Sequence, residues 1–135
     1  MAQTQSLCQE GLGALVQLMT GESSTDQVKS MCLLKTACTA DDAQTSAGVT
    51  KCTESGLTLV NCDSVTSEKT TFTDDTIQAY ETFTAGESAA VLGCGLWSDD
   101  DDKLIGIVCF NAAINMEKDD TLKVTDKIVI TDQTA

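Results

Sequence analysis

Seven cysteines and a run of four aspartates are the side-chain sets dense enough in this chain to suggest chemistry. The cysteines stand at Cys8, Cys32, Cys38, Cys52, Cys62, Cys94 and Cys109. No two are spaced Cys-x-x-Cys, so the ligand spacing of zinc ribbons and iron–sulfur clusters is missing, and neither a metal nor another cofactor is expected. Histidine is absent, which closes Ser-His-Asp and Cys-His catalysis together with histidine-ligated metal sites. Carboxylate pairs alone can still support an enzyme, but with the usual routes closed the expectation is a protein without catalytic activity. Asp99, Asp100, Asp101 and Asp102 offer the hard oxygen ligands that calcium takes. They lack the alternating ligands and central glycine of an EF-hand loop, and consecutive carboxylates on a tight turn splay apart. A solvated turn that discourages edge-to-edge aggregation is the expected role.

Positioning these groups falls to three apolar runs of strand length in the last third of the chain, 91–97, 104–110 and 121–130, separated by charged turns. If the first two form a hairpin about Asp100 and Asp101, with Trp97 and Leu104 flanking the turn, Cys94 comes close to Cys109 across the pair. Cys52 and Cys62 can likewise approach around the turn at 55–57. Cys32 and Cys38 fall within one predicted strand, 28–39, where six extended residues hold them about 20 Å apart. Two readings stand. Either most of the cysteines are buried small hydrophobes, or one or two disulfides form, with Cys94–Cys109 the foremost pair.

Further strands are predicted at 57–62 and 76–84. In the latter, Ile77, Ala79 and Phe83 alternate with polar residues, which places Glu81 on the buried face. Phe72 precedes an Asp74–Asp75 turn, and 40–46 reads as a loop or one helical turn begun by Asp41 or Asp42. Near the start, Cys8, Leu12, Leu15, Val16 and Met19 follow the spacing of an amphipathic helix that stops near Gly21. Such a helix either plugs one end of the domain or packs Leu12, Leu15, Val16 and Met19 against a neighbouring subunit. Abundant threonine suits pleated, half-wet surfaces and favours an all-β reading. The expectation is one domain over 1–135: an N-terminal arm and helix in 1–21, then an antiparallel β-sandwich, jelly-roll-like, over 28–131.

The charge balance narrows the partners. Eight lysines and no arginine stand against 21 acids, for a net charge of −13. Such a chain repels phosphate backbones, so no nucleic-acid partner is expected. No apolar run reaches the length of a membrane span, and 1–6 carry no positive region leading into an apolar stretch, so neither a membrane partner nor a cleaved signal peptide is expected. The charge favours solubility and resists nonspecific association.

Four segments, in order along the chain, resemble small virion proteins of the tail-fibre or head-fibre (decoration) type found in tailed phages and archaeal viruses. These are GLGALVQLMTG at 11–21, the strand and small-residue loop at 33–46, the pair VLGCGLW at 91–97 with LIGIVCF at 104–110, and INMEKDDTLKVTDKIVI at 114–130. They are core and turn positions rather than a catalytic fingerprint. The resemblance implies a non-enzymatic structural protein of the virion, made in the host cytoplasm. It implies assembly with copies of itself and with other capsid or tail proteins, and no small-molecule substrate. A secreted or surface-displayed β-sandwich adhesin is the alternative. Its sugar-binding face would need exposed aromatics, and the chain has only Trp97, Tyr80 and three phenylalanines.

Overall fold

The computed structural model describes residues 3–24, 26–35, 38–41, 43–71, 73–101 and 103–130. Phe72, Asp42 and Asp102, singled out above, lie outside the described residues, as does 131, the last position of the predicted sandwich. The elements run β1 (Gln3–Leu7), α1 (Gln9–Thr20), β2 (Val28–Leu34), β3 (Val60–Asn61), β4 (Ser64–Glu68), β5 (Thr76–Thr84), β6 (Ala89–Ser98), β7 (Leu104–Met116) and β8 (Thr121–Val129). Two antiparallel sheets result, ordered β1-β7-β6-β2-β3 and β4-β5-β8, and they do not close into a barrel. The chain is thus mainly β with one short N-terminal helix, as its alternation predicts.

The predicted hairpin forms. Trp97 pairs with Leu104, and the Lys103 carbonyl accepts from the Ser98 amide at 3.0 Å. Asp101 takes the left-handed conformation (φ 59°) that an Asn or Asp side chain tolerates in a tight turn. The closing strand β8 pairs with β5 along its whole length, from Thr76↔Val129 to Thr84↔Thr121. Between the sheets lies a core in which Met31, Leu33, Leu96 and Val108 meet Ala79, Phe83, Val124 and Ile128.

A second apolar layer covers the outer face of the larger sheet, where Leu34, Trp97, Leu104, Ile107 and Cys109 pack under Cys38, Ala40, Val49 and Leu59. The Trp97 ring is wholly buried there, its Nε1–H donating to Ser46 Oγ at 2.9 Å with the Lys51 ammonium 4.8 Å above the ring. Gly95 makes the room: a Cβ at that position would stand 2.7 Å from the ring. Ala40 and Ser46, at the two ends of the predicted loop, therefore belong to a cover over the tryptophan.

This layering corrects the expected Cys94–Cys109 bond. The register pairs Cys94 with Val108 and Gly93 with Cys109. Cys94 and Cys109 are one position out of phase and so point to opposite faces of the sheet. Cys94 enters the core between the sheets, while Cys109 reaches the outer layer and bonds to Cys38, with the Cα atoms 5.7 Å apart. The other five cysteines, Cys8, Cys32, Cys52, Cys62 and Cys94, remain thiols, so Cys52 and Cys62 are not joined either. β2 ends at Leu34, short of the predicted 39, and Cys38 bonds across to β7; residues 36 and 37 of that predicted strand lie outside the described residues.

Three further strands differ from expectation. The predicted arm contains β1, an edge strand paired with β7 from Gln3↔Phe110 to Leu7↔Gly106. β4 lies in a stretch exposed throughout, with no apolar alternation to announce it, and owes its conformation to pairing with β5. Of the predicted strand at 57–62 only Val60–Asn61 pairs, although Leu57 is buried.

Candidate functional site

The helix is amphipathic, but its inward face is not the large apolar stripe. α1 buries Gly11 and Ala14, the small residues, against the sandwich. Gly11 sets the approach: a Cβ there would collide with the Ile105 carbonyl and lie 2.9 Å from the Ile105 Cα. A helix seated this closely turns its larger residues outward. Leu12 is 48% exposed, Val16 60% and Met19 81%. Spaced four and three residues apart, these side chains form one ridge along the helix. Leu15, grouped with them on the sequence, is only half-buried and instead lines a cleft beside the helix.

That cleft has a volume of about 550 Å³ and lies between α1 and the end of the sandwich. Ala14, Leu15 and Leu18 form its helical wall, facing Val65, Ile77 and Ile130 on the strands. The small Ala14 helps leave it open. Its exposed lining is mixed, with Val65 and Ile130 standing beside Gln27, Lys29, Asn61, Thr66 and Ser67. Two charged residues line it, and each is balanced: Lys29 pairs with Asp99 at 3.1 Å, and Asp26 pairs with Lys103.

The charge of the ridge contrasts with that of the chain. Glu10 begins the helix but folds inward, where its Oε1 accepts from the Ser46 and Leu104 amides, both at 2.9 Å. Residues 11–20 hold no charged side chain, on a protein carrying −13. Ridge and cleft together form a largely apolar surface, with its two charged lining residues paired, on an acidic molecule. Patches of that kind mark interaction sites more often than they mark stability.

Lys103 holds this arrangement in place by bonding both Asp26, which is buried, and Gln17 near the end of α1. A Lys103→Met variant leaves the Asp26 carboxylate buried without this cation. It is expected to lose about 2 kcal/mol of stability, the scale of a hydrogen bond to a charged group. Urea unfolding at neutral pH checks this, and an unchanged midpoint would show that the contact does not hold the helix.

The remaining candidates for chemistry resolve differently. In the aspartate run, Asp99 is taken by Lys29, Asp100 accepts from Ser98 Oγ at 2.6 Å, and Asp101 is exposed. Among the described residues no three Cys, Asp or Glu side chains converge as a metal site. The thiols are poor nucleophiles where they stand. Burial pushes Cys32 up to about 12, with the neighbouring Cys52 adding to it. Burial also raises Cys52 and Cys62 to about 11, reinforced by Glu54 in the first case and by Glu81 and Asp126 in the second. At neutral pH all three stay protonated, whereas thiol chemistry needs the thiolate.

One group was missed on the sequence. Asp126 lies on the inward phase of β8, between Val124 and Ile128, and is 4% exposed. Its Oδ2 accepts from the Cys94 thiol at 3.9 Å, a weak contact, and burial raises the carboxyl to about 6. The period-two pattern of 121–129 carried the signal, because Leu122, Val124 and Ile128 fix the phase that Asp126 shares. Glu81, placed on the buried face by the same logic, is indeed buried. Trp97 and Phe83, two aromatics that a sugar-binding face would need, are buried as well. Compared with known protein families, characterised proteins and solved structures, the chain matches none of them.

Proposed function

We propose that this chain is a non-enzymatic structural protein of a virion, decorating a capsid or forming part of a tail or fibre assembly with copies of itself and other virion proteins. The observation that carries the reading is the exposed ridge of Leu12, Val16 and Met19 beside an open apolar cleft, on a sandwich whose net charge is −13. The Cys62 thiol in the cleft lining, like Cys32 and Cys52, stays protonated at neutral pH, and Asp99 is held by Lys29. The resemblance of four segments to small virion proteins points the same way. High copy number on a symmetric lattice lets modest contacts add up, while acidic surface elsewhere keeps particles apart.

Mass spectrometry of virus particles purified from the organism that carries the gene tests this. The chain is expected among the particle proteins at a copy number comparable to a capsid or tail component. Its absence from intact particles would overturn the reading.

A further inference from the structure

We infer that the Cys38–Cys109 bond is a redox latch: small thiols open it in the folded protein, and the cover it holds then lifts off Trp97 while the sandwich beneath stays intact.

The molecule has two apolar layers, and the bond belongs to only one of them. The core between the sheets contains neither Cys38 nor Cys109. Both lie in the outer layer, with Trp97, Leu104 and Ile107. The cover over that layer, described at 38–41 and 43–50, forms no helix and no strand. Apart from the disulfide it is held by the packing of Ala40 and Val49 and by hydrogen bonds. The Lys35 amide donates to the Thr50 carbonyl at 3.0 Å where the segment leaves and rejoins the sheet, and Ser46 meets Trp97 and Glu10 midway. An irregular surface segment of this kind opens at lower cost than a core strand once its cross-link is gone.

The bond is approachable from one side. Cys109 is 5% exposed, whereas Cys38 is half-buried. A crevice of about 40 Å³ reaches Cys38 between Lys35, Gln44, Gly48 and Thr50. A thiolate arriving there forms a bond to Cys38 Sγ. The protein S–S bond breaks, and its electron pair passes to Cys109 Sγ, which takes up a proton. A second thiolate attacks the mixed disulfide at its small-molecule sulfur, leaving Cys38 as a thiol and a small disulfide in solution. Two external thiols are thereby oxidised and one protein disulfide is reduced.

The same steps run backwards when a small disulfide is the oxidant, and the fold keeps a seat for the returning side chain. Gly93 supplies it: a Cβ at that position would stand 2.8 Å from Cys38 Sγ. The latched form prevails where thiols are scarce, the open form where small thiols keep cysteines reduced. Opening bares Trp97, Leu104 and Ile107, and leaves Met31, Leu33, Phe83 and Val108 in the core.

Trp97 is the one tryptophan of the chain, so its fluorescence reports on the cover. The test titrates the full chain with dithiothreitol at neutral pH without denaturant, and then quenches, unfolds and alkylates samples to count thiols by mass spectrometry. As the count rises from five to seven, acrylamide quenching of Trp97 is expected to increase several-fold and its emission to move to the red. The far-ultraviolet β signal should not change, and glutathione disulfide should restore the starting state. Cys38→Ser should resemble the reduced wild type and ignore dithiothreitol; if that variant does not fold, the wild-type titration decides alone. A bond that dithiothreitol reaches only after urea unfolds the sandwich overturns the inference. So does reduction that leaves the quenching of Trp97 unchanged, since the cover then stays closed without its cross-link. A β signal that collapses on reduction, or a bond that does not re-form, overturns it as well, because the disulfide is then a staple of the whole fold.

Discussion

Replacing Cys38 with alanine, or reducing its bond to Cys109, lowers the stability of this protein by about 4 kcal/mol. The bond joins residues 71 positions apart, and a cross-link closing a loop of that length removes about 4 kcal/mol of chain entropy from the unfolded state. Against the roughly 5–15 kcal/mol that holds a domain of this size together, that loss is large. It also has a local consequence, because Cys38 belongs to the cover over the outer apolar layer that contains Trp97. Loosening that cover admits water to the indole, so Trp97 fluorescence should shift to the red before global unfolding. Urea unfolding with and without reductant checks the first effect, and Cys38→Ala should be insensitive to reductant. Alkylation of unfolded, unreduced protein should label the five thiols Cys8, Cys32, Cys52, Cys62 and Cys94 and spare Cys38 and Cys109. Seven labelled thiols, or melts indifferent to reductant, would rule out a stabilising role for the bond.

Asp126→Asn is expected to stabilise the protein at pH 8 by up to about 3 kcal/mol, and hardly at all at pH 4. Burial raises the Asp126 carboxyl from an ordinary 3.8 to about 6, so the folded chain holds this proton more tightly than the unfolded one. Below about pH 4 both states are protonated and the side chain incurs no ionisation penalty. Between pH 4 and 6 the unfolded state ionises first, and stability falls as pH rises. Above about pH 6 the folded state carries a buried carboxylate and the penalty is constant. Asparagine has the same shape and no ionisation, which removes that penalty where it exists. The difference in unfolding free energy between variant and wild type, measured from pH 4 to 8, isolates this group from the other acids. A difference that does not change with pH would sink the assignment.

Asp126 is also an inward-pointing acid on an edge strand, because β8 borders the smaller sheet. Such residues discourage edge-to-edge pairing, which gives a physical reason to keep a group that weakens the core. The variant predicted to be more stable at pH 8 is thus also expected to aggregate more readily when concentrated.

Sequence and structure part company at identifiable residues. The hairpin of β6 and β7 was legible because two apolar runs flank one charged turn, and only one antiparallel partner lies that close in the chain. Which cysteine faces which was not legible. The register irregularity between Leu96 and Trp97, next to the turn, sets the phase, and a slip of one residue moves a side chain to the other face. The helix was legible from its apolar spacing, but its inward face was not. Spacing ranks residues by hydrophobicity, whereas the choice of face was made by how closely Gly11 lets the backbone approach Ile105. β1 and β4 have no apolar alternation of their own and become strands only where β7 and β5 supply hydrogen-bond partners.

Taken alone, the amino-acid order determined the class of fold, the hairpin, the helix, the buried phase of β5 and the lack of histidine-based chemistry. These follow from composition and from local periodicity, which a chain carries wherever it goes. The Cys38–Cys109 bond, the burial of Trp97, the exposed ridge and the cleft beside it were decided only in three dimensions. Each depends on a register or a close approach between segments distant in sequence, and no local pattern encodes either.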